Sequence, residues 1–134
     1  MSDNWVQDME NFHNHHGVRQ AVSYLDEEKL HQFLVFRLAF LKEELDETFK
    51  AFKEKDEEEI VDGLIDLCVV AIGTLDQFGI DANKAWDRVH ESNMTKEVGV
   101  KESRPNPLGL PDLIKPEGWE APSHQDNHGL FNNI

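Results

Sequence analysis

Five carboxylates in two short runs are the residues best placed to do chemistry: Glu43, Glu44 and Glu47, then Asp62 and Asp66. At about 100° per residue around a helix, Glu47 lies about 40° and Glu44 about 100° from Glu43, so the three share one arc. Phe33, Phe36 and Phe40 fall on that same arc, so the acids extend a stripe that begins as core. Asp66 is the one charged residue within LIDLCVVAIGTL, and Asp62 sits one turn earlier on its face. A lone carboxylate buried there would cost several kcal/mol or lose its charge. Packing the two faces together gathers four or five carboxylates, and mutual repulsion forbids that unless cations hold them. Oxygen donors select hard divalent ions, Mg2+ with Mn2+ as its substitute. No Cys/His pairing of the zinc type offers a softer site. The string Asp56–Glu59, by contrast, reads as a solvated face.

The elements that must position these acids follow from periodicity and punctuation. All five prolines fall after Arg104, so residues 1–104 are free to be helical, whereas 105–134 read as an extended, Pro-rich tail. Leu108, Leu110, Leu113, Ile114 and Trp119 make that tail a segment docked on the body or on a neighbouring subunit. The last stretch, SHQDNHGLFNNI, reads as frayed. In the front part a 3.6-residue period dominates and strand alternation is absent. Helices are predicted over about 3–16, ending at Gly17, about 27–54 with Asp26 as N-cap, about 57–78 before Gly79, and from Asp81 to about 95. Phe78 and Trp86 are expected in the core. The fold class is all-α, a bundle of four to five helices.

Length of 134 residues fits one domain with one modest core. A formal charge of −14 argues against a nucleic-acid polymer or an anionic membrane as partner. The lone Cys68, the absence of an apolar run of membrane-spanning length and an N-terminus without signal-peptide character point to the cytoplasm.

Taken jointly, E-E-L-D-E at 43–47, D-G-L-I-D at 62–66, G-T-L at 73–75 with F-G-I-D at 78–81, and H-E-S-N-M-T-K at 90–96 resemble the MazG-like all-α nucleoside triphosphate pyrophosphohydrolases. That superfamily also holds phosphoribosyl-ATP pyrophosphohydrolase and the dimeric dUTPases. The tail, with K-P-E-G-W at 115–119, resembles a phage or bacterial branch. One departure stands out: the family's second motif is ExxD, yet the position three before Asp66 is Gly63.

The resemblance implies metal-dependent hydrolysis of a nucleoside or deoxynucleoside triphosphate to a monophosphate and pyrophosphate, in nucleotide-pool control, with a purine such as dGTP or GTP preferred. It implies Glu44, Glu47 and Asp66 as ligands of Mg2+, with Asp62 beside them, and Glu43 with Glu44 as the catalytic pair acting on the attacking water. Asn93 and Lys96, at i and i+3 on one face, are candidates for phosphate and sugar oxygens; an exposed surface lysine is the plainer reading of Lys96. Arg37, two turns before Glu44, either reaches a phosphate or base edge or forms a salt bridge. Phe12, His13 and His16, with Trp5, either form a stacking lid over the base or are docking surface. A homodimer or homotetramer is expected, since two long helices and two short ones bury little core alone. In the host of a phage-encoded chain this would be the host cytoplasm.

Three other readings are open to this sequence. Phosphoribosyl-ATP itself is an alternative substrate. A non-enzymatic acidic helical interaction protein is another. The ExxH pairs Glu10/His13 and Glu28/His31 fit the spacing of a di-iron bundle, but Gly17 interrupts between them.

Overall fold

The computed structural model describes residues 2–104 and 106–134. Helix α1 spans Trp5–His15, opened by Asn4, whose side chain accepts from the Gln7 N–H at 3.0 Å. Gly17, at φ 70°, turns the chain into α2, Val18–Ser23. Six residues are too few to show a helical period, which is why this helix was not predicted. Helix α3 covers Glu27–Glu54 with Asp26 accepting from the Lys29 N–H at 2.9 Å. Helix α4 covers Glu57–Gln77, capped in the same way by Asp56 on Glu59 at 3.1 Å. Helix α5 covers Ala82–Met94. Two three-residue strands, β1 at Glu97–Gly99 and β2 at Asp112–Ile114, pair antiparallel with Glu97 opposite Ile114. The chain is thus all-α with one small hairpin that the alternation test did not reveal, because three residues hold no pattern. Among the described residues no single helix is long and apolar enough to cross a membrane.

The contacts divide the chain elsewhere than at 104/105. One compact unit comprises residues up to Ala82 together with Asn127–Ile134, and the other is Asn83–Asp126.

In the first unit α3 packs along α4 and α1 lies on α4. The core is built on Val22, Leu30 and the fully buried Phe78, with Phe33 and Phe131 stacked on Phe78 at 5.8 and 4.8 Å. The C-terminal stretch, expected to fray, is docked here. Leu130 donates its N–H to the Phe78 carbonyl at 2.7 Å, and the Asn127 amide brackets Asp81, accepting from its N–H at 2.9 Å and donating to its C=O at 2.8 Å. Gly129 makes the approach possible: at φ 49° a Cβ there would collide with the Phe78 carbonyl oxygen. Two core expectations are corrected. Trp86 is 72% exposed and Phe36 60% exposed, so the Phe33/Phe36/Phe40 stripe is only partly covered within one chain.

In the second unit the tail folds onto α5. Arg88 donates to the Ser123 carbonyl at 2.9 Å and pairs with Asp126, which Lys84 also meets at 2.7 Å. The Trp119 indole N–H donates to the Ser92 carbonyl at 2.9 Å.

Candidate active site

A helix of 28 residues and one of 21 are joined by a single residue pair, left-handed Lys55 and the cap Asp56. The tight connection folds α4 back along α3 and brings the two acidic runs onto neighbouring faces. Glu44 and Asp66 are half-buried, while Glu43, Glu47 and Asp62 are exposed. Partial burial holds the Glu44 carboxyl above its ordinary value, and the negative charges of Glu47, Asp66, Glu43 and Asp62 push it further in the same direction. The other four acids singled out from the sequence therefore act on the carboxyl group of the fifth.

Among the described residues, no three His, Cys, Asp or Glu side chains are drawn in tightly enough to hold an ion as they stand. Solvent reaches three of the five acids, Glu43, Glu47 and Asp62, and screening weakens the repulsion among them. The donor set itself, carboxylate oxygens only, is the one that a hard divalent cation takes.

The raised Glu44 value has a defined consequence for stability. The folded state holds this proton more tightly than the unfolded chain, so folding is favoured at low pH and the contribution is lost as pH rises from 4.5 through the raised folded value. Metal-free melting curves of wild type and Glu44→Gln across that window check this. The variant should gain on wild type as pH climbs, and parallel curves would refute it.

Gly63 explains the departure from ExxD. A Cβ at this position would collide with the Thr48 hydroxyl of α3 and lie 3.2 Å from the Thr48 Cβ, so a side chain fits there only if Thr48 gives way. The Thr48 hydroxyl in turn donates to the Glu44 carbonyl at 2.8 Å. Gly63→Ala should therefore destabilise the fold by about 1–3 kcal/mol, read by denaturant unfolding. Thr48→Ala in the same chain should recover part of the loss; no loss on Gly63→Ala would contradict the close approach.

The other candidates are placed variously. Arg37 is buried, its Nε donating to the Thr74 hydroxyl at 2.9 Å and Nη2 to the Val70 carbonyl at 3.0 Å, with the guanidinium over Phe40. Those two nitrogens face the α3–α4 interface rather than a ligand, and burial lowers its pKa. His13 is also buried: its Nδ1 lies 2.6 Å from Asp76 Oδ2 and its Nε2 3.2 Å from the Gln77 amide nitrogen. The tautomer protonated at Nδ1 satisfies both bonds, donating to Asp76 and accepting from Gln77. Phe12 is half exposed and His16 exposed, their rings meeting edge-on at 4.7 Å. Trp5 lines a mainly apolar cavity of about 200 Å³ with Asp8, Met9, Ile65, Cys68 and Val69. Asn93 and Lys96 belong to the second unit, where Asn93 is exposed and Lys96 lies over Trp119 at 5.4 Å.

Sequence reasoning missed Asp76, Thr74 and Gln77. Asp76 carried the same signal as Asp66, a lone acid late in an apolar helix, but its partner lies 63 residues away in α1.

A comparison with the curated proteins and with the solved structures finds no match. The model of one family, phosphoribosyl-ATP pyrophosphohydrolase, matches residues 9–93, which is well over half the chain and includes all five acids. The chain belongs to the phosphoribosyl-ATP pyrophosphohydrolase family, within the MazG-like superfamily of pyrophosphohydrolases.

Proposed function

We propose that this chain hydrolyses a nucleoside or deoxynucleoside triphosphate between the α- and β-phosphates, one water being consumed and a nucleoside monophosphate and pyrophosphate released. The observation that carries this reading is the focusing of Glu43, Glu47, Asp62 and Asp66 on the Glu44 carboxyl, in a chain of a pyrophosphohydrolase family. Phosphoryl transfer needs positioning and charge neutralisation more than covalent chemistry. Glu44, Glu47, Asp62 and Asp66 would hold Mg2+, or Mn2+ in its place. Bound there, such an ion neutralises phosphate charge and acidifies a coordinated water. Glu43, exposed at the margin of the group, orients or deprotonates the attacking water together with Glu44. Asn93 and Lys96 offer an amide and an ammonium to sugar and phosphate oxygens. Phe12 and His16, at the surface of α1, are the residues of the proposed lid still free to meet a base, and a purine triphosphate such as dGTP or GTP is the preferred substrate. His13 and Arg37 contribute by holding α1 and α3 on α4.

The working form is a homodimer or homotetramer in the cytoplasm. Phe36, Phe49, Phe52 and Leu64 on α3 and α4 are each more than half exposed in one chain, an apolar surface of the kind that association covers.

The family match favours a second reading, in which phosphoribosyl-ATP itself is split at the same bond. Pyrophosphate release from the eight common NTPs and dNTPs and from phosphoribosyl-ATP, with Mg2+, Mn2+ or EDTA, separates the two. Metal-dependent release from a purine triphosphate supports the first reading, and release from phosphoribosyl-ATP alone supports the second. Silence throughout, with no stabilisation of the protein by Mn2+, overturns both.

A further inference from the structure

Of the residues of α1 only Met9 and His13 are buried, and His13 is the one that can titrate. Every charged or polar group that faces it can be named. From α4, Asp76 Oδ2 stands 2.6 Å from its Nδ1 and the Gln77 amide nitrogen 3.2 Å from its Nε2. From α3, Arg37 meets it over Gly73: Arg37 Nη2 and His13 Cε1 lie 3.1 and 3.3 Å from the point where a Gly73 Cβ would stand. From α2, Arg19 Nε lies 3.6 Å from the same Asp76 oxygen, while Glu10 of α1 accepts from Arg19 Nη1 at 3.2 Å. One imidazole, one carboxylate and two guanidinium groups thus surround an uncharged amide. The carbonyl oxygen of that amide, Gln77 Oε1, is buried and has no partner among the described residues. A half-turn about the last side-chain bond exchanges the donor and acceptor ends of a glutamine, so Gln77 can offer His13 either one.

We propose that His13 and Gln77 form a proton switch, in which His13 takes a second proton at Nε2 and the Gln77 amide turns over to accept from it. In the neutral state Nδ1–H donates to Asp76 and Nε2 accepts from the Gln77 NH2 group. A proton arriving from solvent forms a new Nε2–H bond and removes that acceptor. Without a turn, two N–H groups would face each other 3.2 Å apart. After the half-turn Nε2–H donates to Oε1, the atom that had no partner. The number of hydrogen bonds is unchanged and no helix has to move. Asp76, in direct contact and 8% exposed, stabilises the imidazolium. Arg37 and Arg19 oppose it, but among the described residues neither is hydrogen-bonded to the ring, and Arg19 is matched by Glu10. The two states differ by one charge buried between α1 and α4, and falling pH selects the charged one. The change reaches the surface of α1 through Phe12, whose ring centre lies 5.6 Å from that of His13. None of these groups belongs to the acids of the candidate site, so the switch stands whether or not the proposed reaction does.

The test follows the ring nitrogens of His13 and the side-chain amide of Gln77 by NMR. The isotopically labelled full chain is titrated in EDTA from about pH 8 to about pH 5, the range in which histidine changes charge. On acidification the His13 signals should pass from the Nδ1–H tautomer to the imidazolium, and the Gln77 amide signals should move with the same midpoint. The α1 amides should stay protected from exchange through that midpoint. Gln77→Glu presents an acceptor at every pH and should raise the midpoint by about one pH unit, whereas Gln77→Met presents none and should lower it by about as much. A residue that only fills space would not give displacements of opposite sign. If the methionine variant fails to fold, the glutamate variant and the wild-type amide signals still decide. The switch is overturned if His13 does not titrate in the folded protein, or if the Gln77 amide does not follow it. Loss of α1 protection at the midpoint, or an unmoved midpoint in Gln77→Glu, overturns it as well. Metal-dependent hydrolysis enters none of these readouts, so the reaction and the switch can fail separately.

Discussion

Replacing Asp66 by asparagine should abolish metal-dependent pyrophosphate release and, in the same protein freed of metal, raise the melting temperature. The two effects have one origin. Asp66 is half-buried on the apolar face of α4, and its charge is the second largest carboxylate influence, after Glu47, holding the Glu44 carboxyl above its ordinary value. Asparagine keeps the shape and one oxygen but removes that charge. Without a cation the substitution relieves repulsion and the folded state gains. With a cation it removes one of the proposed ligands and leaves a site of lower charge, so activity should fall by more than about 100-fold, beyond the loss typical of an outer-shell change. A ligand present at 100 times its dissociation constant stabilises a fold by about 2.7 kcal/mol, so Mn2+ should raise the melting temperature of wild type and leave Asp66→Asn nearly unmoved. Calorimetric melts with EDTA and with Mn2+, beside a pyrophosphate assay, read all of this. Retained activity would remove Asp66 from the site. A fall in the metal-free melting temperature would show that its carboxylate is structural.

Much of this arrangement could be read along the chain because it is local. The bounds of α3 coincide with the predicted 27–54, since Asp26 caps one end and a charged turn closes the other. Asp56 marks the start of α4 as plainly. The acids at 43–47 and 62–66 could be placed on facing arcs because one short turn leaves α4 little choice but to run back along α3. What was not legible depends on partners distant in sequence. Nothing near Gly129 announces that it packs on Phe78, and nothing near His13 announces Asp76 and Gln77 as its partners. Gly63 looked like a lost acid. It is instead the point where two helices touch, visible only once Thr48 is set opposite it. Trp86 and Phe36 are expected in the core, Phe36 from its place on the Phe33/Phe36/Phe40 stripe, yet both face outward from a single chain. Hydrophobicity predicts that a side chain will be covered and is silent on which chain covers it.

Asp76→Ala should cost about 2–5 kcal/mol of folding free energy, a large share of the 5–15 kcal/mol typical of a small domain. The carboxylate is 8% exposed and accepts from His13 Nδ1 at 2.6 Å, while Arg19 Nε stands 3.6 Å from the same oxygen. His13, itself 2% exposed, is bonded on its other side to Gln77, whose own carbonyl oxygen is buried without a partner. Removing Asp76 strands the His13 N–H in an interior that cannot hydrate it, and a lost bond with an orphaned donor costs more than the bond alone was worth. Arg19 is about a third exposed and can turn to solvent, so the penalty falls mainly on His13. His13→Leu with Asp76→Leu removes both polar groups together and should be less damaging than the sum of the single changes. Chemical denaturation of the four chains gives that coupling directly. Because the pair pins α1 to α4, hydrogen exchange in Asp76→Ala should rise first at the α1 amides while those of α3 stay protected. Uniform loosening of every helix would mean that the pair belongs to the general core, and an additive cycle would mean that the 2.6 Å contact contributes nothing specific.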